Sequence, residues 1–110
     1  MQVGWLLSVG LLASAIVPAA GQVPEVEARR DELIQCVAAK TNTYAASNEP
    51  ADVVAIGAIE SCPNEIDALR REMVTQGASQ MIARQLTDEF VRGLERDIVA
   101  MVIQIRMGLE

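Results

Sequence analysis

The hydrophobic pattern changes at Pro18. Before it, Trp5 to Val17 is a charge-free, mostly apolar run, and the first charged side chain of the chain is Glu25. After it, apolar positions recur at helical spacing. Val26, Leu33, Val37 and Tyr44 mark one helix from Pro24 to about Ala46, opened by Glu25 and Glu27 as a helix N-terminus prefers. Ser47-Asn48-Glu49-Pro50 predicts a turn, and Val53, Val54, Ile56 and Ile59 are the apolar positions of a second helix over about 50–61. Beyond Pro63 there is no further proline, and helix formers dominate through Met107. A single helix there would run to about 45 residues, long for a small domain. Gly77, beside Thr75, Gln76 and Ser79, is the expected break, giving two helices over about 63–76 and 78–107 or one kinked helix.

The last segment has the clearest pattern. Phe90, Leu94, Ile98, Met101, Val102, Ile105 and Leu109 fall on one stripe, with Arg92, Glu95, Arg96 and Arg106 mostly off it. Val99 and Ile103 widen the apolar face beyond a single packing seam. The stripe is therefore the candidate interaction face as well as a candidate core.

The apolar start predicts an address. Its length suits the hydrophobic part of a secretory signal, Pro18 breaks it, and Ala19, Ala20 and Gly21 supply small residues for cleavage after Ala19 or Gly21. The n-region has no Lys or Arg, which is atypical. Residues 1–21 are thus expected to be a signal peptide, with 22–110 one small helical domain: a stapled part over 22–62 and C-terminal helices over 63–110. The alternative is a retained N-terminal membrane anchor, although the run falls short of the roughly 20 residues that span a bilayer. The mature chain is expected not to span a membrane and to be exported, periplasmic or secreted.

The chain has two cysteines, Cys36 and Cys62. An even count in an exported chain favours a disulfide. In a hairpin folded at Asn48, Cys36 lies 12 residues before the bend and Cys62 lies 14 after it. At about 1.5 Å of rise per residue, the two stand at nearly equal height on adjacent antiparallel helices. Closing such a loop stabilises by about 3 kcal/mol in the chain-entropy view. The expected fold is all-α: a disulfide-stapled antiparallel helical hairpin followed by one kinked or two consecutive amphipathic helices. Cys36-Val37-Ala38-Ala39, Ser47-Asn48-Glu49-Pro50 and Ala55-Ile56-Gly57-Ala58-Ile59-Glu60-Ser61-Cys62 together resemble small exported two-Cys helical-hairpin proteins of proteobacteria. The resemblance covers about residues 30–70; it implies an exported hairpin and supplies neither an activity nor a site.

Charge and composition narrow the function classes. The formal net charge is -6, against the basic patch that nucleic-acid binding needs. There is no His, the usual general base of Ser and Cys nucleophile systems, and the glycines form no phosphate-cradling loop. Two Cys without His do not make a recognised metal set. Glu25, Glu27, Asp31 and Glu32 are the densest acids, but on a helix they spread around it and mix with Arg29 and Arg30. No catalytic residue, cofactor or metal is therefore expected. The leading expectation is a non-enzymatic structural or interaction protein, its partner a second copy or an envelope protein docked on the C-terminal helix. The alternative is a carboxylate-based enzyme or small-ligand carrier with a helical cleft.

Overall fold

The computed structural model describes residues 23–108. The signal peptide expected over residues 1–21 and the stripe position Leu109 lie outside them. Among the described residues there are four α-helices and no strand: α1 Pro24–Tyr44, α2 Ala51–Glu60, α3 Pro63–Thr75 and α4 Gln80–Arg106. The C-terminal half is two helices rather than one kinked one.

Local chemistry accounts for most of the boundaries. Pro24 and Pro63 sit in the first turns of α1 and α3, where a missing N–H costs nothing and the fixed φ suits the helix. The α3–α4 break is built from two devices. At the end of α3, Gly77 takes φ +113°, its N–H donates to the Val74 carbonyl at 3.0 Å, and the Ala78 N–H donates to Met73 at 3.0 Å. This paired closure needs a residue with positive φ, which glycine adopts without a steric penalty. Two residues on, the Ser79 hydroxyl accepts from the Ile82 N–H at 3.1 Å and starts α4.

One cluster of buried side chains draws on all four helices: Val26, Leu33 and Val37 from α1, Val54, Ala55, Ala58 and Ile59 from α2, Leu69 and Met73 from α3, and Ala83, Leu94, Ile98 and Val102 from α4. α4 packs most closely on α2, and α1 on α3. The inward face of α2 is not marked by all of its largest side chains. Val53 and Ile56 of α2 are 45% and 41% exposed, while Ala55 and Ala58 are wholly buried. A helix apolar on every side carries no amphipathic signal for its inward face. The buried hydroxyls are both satisfied: Thr41 donates to the Val37 carbonyl at 2.7 Å, and Thr87 donates to the Met73 sulfur at 3.7 Å. Among the described residues no buried side-chain polar atom is left without a partner.

Cys36 and Cys62 form a disulfide with a Cα separation of 6.2 Å, joining the middle of α1 to the residue just before α3. Near it the Tyr44 and Ser61 hydroxyls share a hydrogen bond of 3.1 Å, and Ser61 Oγ also reaches the Gly57 carbonyl at 2.8 Å. Arg29 links α1 to α3. It pairs with Glu32 at 3.0 Å on its own helix and approaches Glu72 at 3.7 Å. The hydrogen bond and charge of Glu32, followed by the charge of Glu72, hold the Arg29 guanidinium above its ordinary pKa. Asp67 pairs with Arg70, three residues on along α3.

Candidate functional site

The C-terminal stripe divides into an inner and an outer part. Leu94, Ile98 and Val102 are buried in the chain's own core, and Phe90, Met101 and Ile105 are half-buried against it. Phe90 is further covered from α1, where the Arg30 guanidinium carbon stands 5.5 Å from its ring centroid, a cation–π contact. The centre of the expected interaction face is thus spent on intramolecular packing.

What remains open lies around the helix from that centre. Val99, Ile103 and Met107 recur every four residues; Val99 is half-buried, while Ile103 and Met107 are 45% and 65% exposed. On the same outer side, about one to four turns earlier, stand the exposed Gln85, Glu89, Arg92 and Arg96. After Met81, itself 74% exposed at the start of α4, the outward face therefore runs charged and then apolar from about Val99. The i, i+4, i+8 spacing places the three side chains in one row.

The end of α4 is held by an arginine clamp. Arg106 Nε donates to the Ala45 carbonyl at 3.1 Å, and its Nη2 donates to the carbonyls of Ser47 and Glu49 at 2.8 and 2.7 Å. These carbonyls belong to the turn between α1 and α2, where the chain has left the helical ladder. A charged donor satisfying three of them fixes the turn, and the turn in turn fixes the orientation of the last helical residues. An open cavity of about 540 Å³ lies beside the clamp, lined by Asn42, Ser47, Asn48 and Ile105 among others. Sequence pattern places Arg106 only as an off-stripe charge.

A second cleft, of about 300 Å³, lies between the end of α1 and α2, with Tyr44, Val53, Val54 and Gly57 as its apolar walls and Thr43, Ser47 and Glu49 beside them. It has a single carboxylate. The acids Glu25, Glu27, Asp31 and Glu32 are all exposed on α1; Glu27 and Asp31 line an open pocket of about 240 Å³ together with Arg30, Ile34 and Phe90, and the other two stand outside it. Among the described residues, one trio of potential metal-binding groups comes together: Cys36, Cys62 and Glu65, whose ligand atoms all lie within 4.8 Å of one another. No helix among the described residues is long and apolar enough to cross a membrane.

Comparison with known proteins adds no kinship: no family model, no curated protein and no solved structure matches the chain.

Proposed function

We propose that this is an exported, non-enzymatic interaction protein whose docking surface is the outer row Val99 and Ile103 of α4 with Met107, the residue that caps it. The observation that carries the reading is the exposure of Ile103 and Met107, 45% and 65%, in one line on a helix whose inner stripe is already buried. Solvent-facing rows of large apolar side chains mark contact surfaces. Rigid presentation supports the same reading, because the Arg106 clamp anchors this end of α4 to the α1–α2 turn. In this reading α1 and α2 form an antiparallel stapled hairpin that serves as the base for α4. Export accords with the apolar start of the sequence, and a disulfide persists in oxidising compartments.

The occupant that charge favours is a second copy of the chain. Glu89, Arg92 and Arg96 stand on the same side of α4 as the row, so the face carries both signs and two copies laid antiparallel across a two-fold axis can set the acid of one against the arginines of the other. Sedimentation of the mature protein should show a reversible dimer at micromolar concentration. Ile103→Asp together with Met107→Asp should give a monomer with an unchanged helical spectrum. A parent protein that stays monomeric at about 100 µM, a concentration at which a 1 µM contact is saturated, would contradict self-pairing.

The α1–α2 cleft favours a second reading, a small-ligand carrier. Its volume of about 300 Å³ and its apolar walls suit a small apolar molecule, at the lower end of the usual ligand-pocket range of roughly 300–1,000 Å³. Gly57→Leu, filling the cleft, would abolish such binding and leave the dimer intact.

A further inference from the structure

The disulfide has an unexpected neighbour. Cys62 occupies the position just before α3, and Glu65 lies three residues later in its first turn, so one helical turn carries both groups towards Cys36 on α1. Pro63, between them, fixes the backbone of that turn. The Glu65 carboxylate is half-buried and, among the described residues, has no ion-pair or hydrogen-bond partner. Its ligand oxygen lies within 4.8 Å of both sulfurs.

We propose that, once the disulfide is reduced, Cys36, Cys62 and Glu65 form a site for zinc. Two thiolates and one carboxylate are a donor set that Zn²⁺ accepts, with a fourth position left for water. In a tetrahedral zinc site the ligand atoms stand roughly 3.5–3.8 Å apart. The trio is already within 4.8 Å on backbones whose two Cys Cα atoms lie 6.2 Å apart. Side-chain rotation therefore suffices to reach that spacing. Cys36 and Glu65 are only half-buried, which leaves solvent a route to the fourth position.

The chemistry balances as two steps. An external dithiol gives two electrons and two protons to the Cys36–Cys62 bond, becoming a disulfide itself and leaving two thiols. Zn²⁺ then binds both sulfurs and the Glu65 carboxylate, and the two thiol protons go to solvent. Disulfide and metal are mutually exclusive, so zinc holds the chain in its reduced form and oxidation expels the zinc. This inference does not depend on the docking surface of α4.

The test uses the mature chain reduced with a water-soluble phosphine under argon and titrated with Co²⁺, then with Zn²⁺ in competition. The expected result is one metal per chain, a sulfur-to-cobalt charge-transfer band, and displacement of cobalt by zinc. Glu65→Gln should weaken zinc binding at least about tenfold, in line with the cost of disturbing metal-site groups, whereas Glu65→Asp should retain most of it. The unreduced chain should take up no metal through sulfur, and zinc-loaded protein should resist reoxidation. Absence of the charge-transfer band in the reduced chain would overturn the proposal. So would equal zinc affinity in the parent and Glu65→Gln, whether or not the reduced chain keeps its helices.

Discussion

Two junctions of the molecule differ in how far away their partners lie. Between α3 and α4 the chain turns by its own local chemistry: Gly77 closes one helix, Ser79 opens the next, and every bond involved spans a few residues. Between α1 and α2 the turn has local bonds, from the Ser47 N–H to the Tyr44 carbonyl and from the Glu49 N–H to the Ser47 hydroxyl, and adds distant partners to them. Arg106 holds the carbonyls of Ala45, Ser47 and Glu49 from about 60 positions away, and the Cys36–Cys62 bond ties residues 26 apart. The first kind of junction forms as soon as its residues are helical. The second is complete only when α4 has docked, so it couples the base of the molecule to the helix that carries the exposed row.

That contrast sets the order of mutational effects. Replacing both cysteines by serine should be the most damaging, costing about 3–4 kcal/mol for a loop of this length, read from urea unfolding of the mature chain. A loss under about 1 kcal/mol would show that the staple adds little to the non-local junction. Arg106→Met keeps the aliphatic stem and removes the donors. It should cost about 2 kcal/mol, as expected for hydrogen bonds from a charged group, and amide exchange should quicken around residues 45–50 while residues 73–79 stay unchanged. Gly77→Ala should cost about 1 kcal/mol through the backbone alone, because a Cβ there meets nothing within 4 Å. Its exchange effect should be confined to residues 73–79. An effect that spread to the α1–α2 turn would break the distinction between the two junctions.

The same contrast explains what the sequence made legible. All-helical structure, the break at Gly77 and the cysteine pairing could be read, because each rests on propensity, turn chemistry or simple counting along a helix. The inner stripe was found as a row, but its assignment to core or to a partner was not, since periodicity reports a face and never what covers it. In α2 the small Ala55 and Ala58 face inward while Val53 and Ile56 face solvent, which spacing does not reveal because a mostly apolar helix hides its inward side. The Arg106 clamp has no local signature at all. Glu65 had a faint one: Cys62-Pro63-Asn64-Glu65 is one helical turn, and its second partner, Cys36, is brought there only by the fold.

The central claim is an exported chain held by an intramolecular staple, and intact mass spectrometry tests it most directly. Protein expressed from the whole sequence and recovered from outside the cytoplasm should lack its first 19 or 21 residues. It should also be two hydrogens lighter than the reduced form, the mass signature of one disulfide within the chain. A full-length mass with both thiols free would contradict the account.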